Sequence, residues 1–289
     1  MKRKTFLRMT GAGLLGAALA PENLFAFGRE LNFRPAPLLS VQLYTIRDAI
    51  KADLEGSINK LANTGFKYVE TAFWPEGTSM KKAAAVIKSA GLKVSSCHIE
   101  LPFGDNQKAF TETAAAFGCK RLIWHGWPED KRYSSLAGTK ELIGMYNKSA
   151  AFAKSMGIEF GLHNHWWEYR NKVDGKSPYE LLLAECDPNI FFELDTYWIK
   201  VAGYTPADII KKFGKRAKYL HIKDGPARWS DKLAEDNPDP MTPVGQGTQD
   251  MPAILKAQQA EFLVVEMDKV VGDPFEAIRQ SYEYLQGKI

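Results

Sequence analysis

Eight times between residue 38 and the C-terminus the chain repeats one unit: a short apolar run, then a longer stretch with apolar residues at helical spacing. The runs fall at 38–44, 68–73, 92–98, 122–125, 158–163, 190–194, 217–222 and 262–266. The helical stretches follow at 52–64, 79–90, 107–117, 140–156, 178–186, 206–213, 251–259 and 274–285. The runs show little polar alternation, so both faces need covering, as in parallel strands flanked by helices. Gly65, Gly91, Gly118, Gly157 and Gly214 follow helical stretches, where a left-handed residue satisfies the free carbonyls. Eight such units in about 250 residues predict a single-domain (β/α)8 barrel over 36–289. A doubly wound open sheet would normally place a glycine-rich turn after its first strand. Here that turn reads Thr45-Ile46-Arg47-Asp48, without glycine.

The formal net charge of +4 is accounted for by Lys2, Arg3, Lys4 and Arg8. The body is therefore near neutral, with no basic stripe for nucleic acid. Those four residues, the glycine- and alanine-rich stretch after them and Pro21 describe an export leader over 1–35. Arg3-Lys4-Thr5-Phe6-Leu7-Arg8 resembles the twin-arginine motif with lysine in the second arginine position, which predicts a periplasmic protein. The apolar part is too short for a membrane span. Cys97, Cys119 and Cys186 are too few and too odd for a disulfide framework and read as buried thiols. A Cys97–Cys119 bridge between neighbouring strands stays open.

The chemistry-bearing residues collect where strands end. All five histidines, His98, His125, His163, His165 and His221, lie at or just past such ends. So do Asp195, in Phe192-Glu193-Leu194-Asp195, and Glu266, in Val264-Val265-Glu266-Met267-Asp268. In a parallel barrel those ends converge on one face, the face that carries active sites. Asp195, His221 and Glu266 make a mixed oxygen and nitrogen set suited to a divalent cation. Glu70 ends the second strand, either against substrate or as a buried acceptor. Glu193 shares the strand parity of Asp195 and points below the metal or into a polar core layer. Lys223 shares the inward parity of His221, to hold an oxyanion or to pair with Glu193 or Asp224. Six of seven tryptophans, Trp127 and Trp198 among them, fall at strand ends or the loops after them, which suits sugar faces. The long loop from 224 to 249 reads as a lid, in which Gly245 and Gly247 let backbone approach the substrate.

Glu193-Leu194-Asp195-Thr196-Tyr197-Trp198, Gly203, His221-Ile222-Lys223-Asp224, Val244-Gly245-Gln246-Gly247 and Val265-Glu266-Met267-Asp268 together resemble the xylose isomerase-like sugar phosphate isomerase/epimerase family. The resemblance runs from residue 40 to residue 285 and is strongest in the last four units. It implies a TIM barrel that holds a divalent metal (manganese, cobalt, zinc or magnesium) at Asp195, His221 and Glu266. The fifth strand departs from the usual glutamate. Either His163 is the fourth ligand or Glu168 folds back to supply a carboxylate. Trp198 stands where several members carry a histidine, and an indole cannot bind metal.

The expected activity is metal-dependent sugar isomerisation or epimerisation through an enediolate or enolate. Glu266, Glu168, His165 and Lys223 are the catalytic candidates; Glu70, His98, His125, Trp127 and Trp198 are the substrate-binding ones. With His163 opposite Glu266, the pair becomes imidazole plus carboxylate, which also suits a lyase or hydratase acting on 3-keto-glycosides. A non-catalytic carbohydrate-binding barrel is the remote alternative. An abasic-site endonuclease would need more metal ligands and a basic face. The expected partner is a small carbohydrate, with no nucleic acid and no membrane span; homo-oligomerisation stays open.

Overall fold

The computed structural model describes residues 35–235 and 237–289. The barrel forms one unit over Ala36–Ile289. All but the last residue of the expected leader lies outside the described residues.

The eight apolar runs become strands β1 (Leu38–Gln42), β2 (Tyr68–Thr71), β3 (Lys93–Ile99), β4 (Arg121–Trp124), β5 (Glu159–His163), β6 (Phe191–Asp195), β7 (Ala217–Ile222) and β8 (Phe262–Val265). They pair in parallel and in sequence order, and β8 closes on β1. This is the (β/α)8 barrel that the rhythm predicts. The expected helix at 52–64 is Leu54–Ala62, capped by Asp53, whose carboxylate accepts from the Gly56 amide at 3.0 Å, and a separate short helix, Arg47–Ala52, precedes it. Two short helices, Trp167–Arg170 and Thr196–Val201, follow β5 and β6 and were not expected. Gly118 takes the left-handed cap after helix Asn106–Phe117, at φ 58°.

Strand parity divides the interior into two cores. Val69, Leu122, Phe160, Leu162, Phe192, Leu194, Leu220, Ile222, Leu263 and Val265 pack outward into the large core shared with the helices. Their alternates Ile123, Phe191, Tyr219, Phe262 and Val264 pack together inside the barrel, with Tyr68 against them. The Tyr219 and Phe262 rings stack at 5.0 Å, and Phe191 lies 5.6 Å from Tyr219. Gly161 makes room for this floor: a Cβ there would come within 2.4 Å of the Phe191 ring. Two residues further along each strand the interior turns polar, at Glu70, His163, Glu193 and His221, all buried.

All three cysteines are buried free thiols, as expected. The loop after β7 is held by Asp224. Its Oδ1 accepts from the Gly225 and Gln249 amides and its Oδ2 from the Gly245 amide. Gly247 has no room for a Cβ, which would meet Asp224 Oδ1 at 2.0 Å. These glycines therefore close the loop around Asp224 and do not line the cavity. Among the described residues no helix is long and apolar enough to cross a membrane.

Candidate active site

A cavity of about 490 Å³ opens at the C-terminal ends of the strands. Its lining includes His98, His125, His163, His165, Lys223 and Glu266, with Trp127 and Trp198 on its walls.

Asp195 ends β6 and caps the next helix. Its Oδ1 accepts from the Tyr197 amide at 2.9 Å and the Trp198 amide at 3.0 Å. This capping satisfies orphan helix donors and fixes the carboxylate. Oδ2 is left buried without a hydrogen bond. His221 is likewise buried, and its Nδ1 has no hydrogen bond although it lies 2.7 Å from Glu266 Oε2 and 3.8 Å from Asp195 Oδ2. His163 Nε2 stands 3.9 Å from Asp195 Oδ2. Donor atoms of Asp195, His221 and Glu266 all lie within 4.8 Å of one another. Buried ligand-type atoms that converge without bonding one another fit a cation between them. Charge agrees: Asp195, Glu266 and Asp268 gather around Lys223, and Glu70 and Glu193 are buried behind His221. The residues present therefore fit a divalent ion held by Asp195, His221 and Glu266, with His163 beside them.

Behind this set lies a layer that orients it. His221 Nε2 meets Glu70 Oε1 at 2.7 Å and Glu193 Oε2 at 3.2 Å. His163 Nδ1 lies 3.2 Å from the same Glu193 oxygen. His98 Nε2 meets Glu193 Oε2 at 2.7 Å and Glu70 Oε1 at 3.2 Å. Gln42 donates to Glu70 Oε1 and Ser96 to Oε2. His221 thus turns its other ring nitrogen to a carboxylate, the arrangement that fixes tautomer and raises ligand basicity, whereas His163 Nδ1 lies near Glu193 without a hydrogen bond. His98, His163, Glu193 and His221 also lie close enough to hold an ion themselves, but their short mutual contacts account for them as this supporting layer.

The electrostatics follow from burial set against charge. Burial raises the Glu193 carboxyl, and Glu70 adds to that. For Glu70 burial acts in the same sense, but the His98 and His221 charges outweigh it and hold the carboxyl well below its usual range. Burial would lower His98; Glu70 and Glu193 overcome it and bring the ring to about 9. Burial holds His163 and His165 well below the usual imidazole range, with neighbouring positive charge adding to the effect. His125 is brought down to about 3, by burial first and His98 second. Its bonds agree with a neutral ring: Nδ1 accepts from the Trp127 amide at 3.1 Å, leaving Nε2 to donate to Glu100 at 3.1 Å.

Several residues stand elsewhere than expected. Glu168 does not fold back to the ligands. It is buried, its Oε2 accepts from the His165 amide at 2.8 Å, and it lies outside the cavity lining. Burial raises its carboxyl well above the usual range. Glu70 is buried behind His221 and does not line this cavity. Lys223 pairs with neither Glu193 nor Asp224 but with Asp195, Glu266 and Asp268, at 2.9, 2.7 and 2.8 Å. Trp74 stacks on Phe117, and Trp166 packs on Trp167 and Trp229, so only Trp127 and Trp198 of the expected aromatic face line the cavity. Sequence reasoning missed Gln42, Arg47 and the role of Asp268. Arg47 sits over the Tyr44 ring at 4.1 Å and donates to the carbonyls of Tyr44 and Asp268. The inward parity that Asp268 shares with Glu266 was the one available signal.

Comparison with known proteins agrees with this architecture. An inosose dehydratase of Clostridium beijerinckii is 22% identical over 268 residues, covering 81% of this chain and 89% of that protein. A sugar phosphate isomerase/epimerase structure from Parabacteroides distasonis has a TM-score of 0.71 at 23% identity, over 87% of this chain and 98% of that one. A D-allulose 3-epimerase structure from a Methylomonas species has a TM-score of 0.63 at 16% identity, over 88% and 99%. Its neighbours are thus sugar isomerases, epimerases and dehydratases. A family model described as xylose isomerase-like TIM barrel matches residues 58–287, and the chain belongs to that family.

Proposed function

We propose that this protein is an enzyme that removes the proton next to the carbonyl of a sugar or keto-sugar at a divalent metal site. The observation that carries this is the convergence of Asp195, His221 and Glu266, whose ligand atoms lie within 4.8 Å of one another, with Glu266 lining the cavity. When bound, the ion would polarise the substrate carbonyl and lower the cost of the enolate. Glu266 lines the cavity; burial would raise its carboxyl, but Lys223 and His221 hold it well below its usual range, so it stays ionised. It is placed to take a proton. Lys223 offers an ammonium to the oxygen on which charge develops. Trp127 and Trp198 offer apolar faces to the sugar ring. The charged leader read from the sequence supports a periplasmic enzyme acting on a non-phosphorylated sugar.

Between epimerisation and loss of water, the asymmetry of the site favours loss of water. Epimerisation by proton transfer across one carbon is best served by two similar carboxylates on opposite faces. Among the described residues Glu266 is the one glutamate lining the cavity, and imidazoles hold other positions: His98, His125, His163 and His165. An ionised carboxylate beside the protonated His98 ring suits removal of a proton at one carbon and protonation of a departing hydroxyl at the next. The dehydratase relative supports the same choice.

The test is proton exchange by NMR in deuterated water, with manganese and a panel of aldoses, ketoses, 3-keto-glycosides and inososes. Exchange beside a carbonyl, with loss of water from one substrate class, is the expected result. Glu266→Gln should lower the rate by on the order of a thousandfold. Full exchange in that variant, or none with any ketone in the wild type, overturns the reading.

A further inference from the structure

The ammonium of Lys223 is buried among three carboxylates, two of which belong to the metal set. Its hydrogen bonds go to Asp268, at 3.0 Å to Oδ1 and 2.8 Å to Oδ2. Asp268 therefore tethers it. Held there, Nζ lies 2.9 Å from Asp195 Oδ2 and 2.7 Å from Glu266 Oε2, oxygens of the two carboxylates that would hold the ion. Asp195 Oδ2 accepts no hydrogen bond despite this approach. The contact is one of charge. Asp195 is itself pinned by its helix cap, so the oxygen cannot turn away from the lysine.

We infer that Lys223, tethered by Asp268, is an internal counter-cation of the metal site that keeps the empty carboxylates together and limits how tightly the ion is held. The inference rests on the metal reading above. Without an ion, Asp195 and Glu266 would repel each other in a buried place, and the ammonium offsets that repulsion. With an ion, the same oxygens are shared by two cations that repel each other. A unit charge at this range changes an ionic equilibrium by about ten- to a thousandfold. The site is thus built for reversible loading. Asp268 acts as the tuner: its negative charge offsets part of the repulsion that Lys223 directs at the ion.

The test is titration calorimetry of the full chain with manganese(II) alone and zinc(II) alone, with thermal melts in chelator and in saturating manganese. Lys223→Met should bind manganese at least ~10-fold more tightly than wild type, and its melting temperature should fall more in chelator than in saturating manganese. Asp268→Asn keeps the lysine and removes its offset, so its affinity should move the other way and weaken. These opposite signs separate the charge effect from general damage, which weakens both. Unchanged or weaker binding by Lys223→Met sinks the inference while leaving the metal site standing. If Lys223→Met does not fold, Asp268→Asn decides: unchanged or tighter binding there overturns the inference. Failure of the wild type to bind either ion overturns both this inference and the metal reading.

Discussion

The two ends of the barrel interior are built from the same strands, two residues apart, and they obey opposite rules. At the N-terminal end Phe191, Tyr219 and Phe262 fill the bore with rings. At the C-terminal end Glu193, His221 and Glu266, one step of two beyond Phe191 and Tyr219 and two steps beyond Phe262, carry ionisable groups on the same inward parity. The floor is held by area and close packing, with the Tyr219 hydroxyl donating to the Ser95 carbonyl. The mouth gathers like charges that would repel if left alone, and it holds its shape through the cap at Asp195, the carboxylate bonded to His221 and the charge of Lys223. Stability is invested at one end and reactivity at the other, and parallel strands allow it because every strand presents the same end to the same face.

This division can be broken by substitution. The largest effect on stability should come from Phe191→Ala, which removes a buried ring with Gly161 pressed beneath it. A loss of about 3–5 kcal/mol is expected in urea unfolding, with manganese affinity within about threefold of wild type. A parallel collapse of metal binding would show that the two ends are not separable. Glu70→Gln probes the boundary between them. Glu70 accepts from Gln42 and Ser96 and orients His221; an amide there sets N–H against donors. Manganese affinity should fall by on the order of 10- to 100-fold. If affinity holds and only stability falls, the carboxylate layer belongs with the floor.

The smallest effect is a dependence on pH at the rim. His125 is brought to about 3 in the folded protein, below an ordinary value of 6.5. Below pH 6.5 the unfolded chain takes up a proton that the folded ring refuses until about 3. Stability is therefore lost as pH falls through that window, at up to about 1.4 kcal/mol per pH unit from this group. His125→Gln should flatten the wild-type slope between pH 6.5 and 4.5, measured as the difference between paired urea titrations. Identical slopes would mean that the ring is charged in the folded state.

The residues that could hold an ion were legible because strand-end position is a sequence property once the barrel is recognised: Asp195, His221 and Glu266 each end an apolar run. Parity also placed Lys223 and Glu193 inside the barrel. Their partners were not legible. Lys223 meets Asp268 from the next strand and Asp195 from the previous one. Glu70 meets His221 from across the bore, 151 positions away. Glu168 shows the same limit from the other side: its spacing after β5 left two directions open, and the short helix Trp167–Arg170 turned it into the protein.

The eightfold order of elements, the closed barrel and the face on which its chemistry gathers were determined by the sequence alone, because hydrophobic period and glycine stops are local signals. The tertiary structure alone decided which carboxylate stands behind a histidine and which tethers the lysine. Those roles depend on shear and register between strands distant in the chain, and on the fold-wide balance between burying a charge and supplying it with a partner.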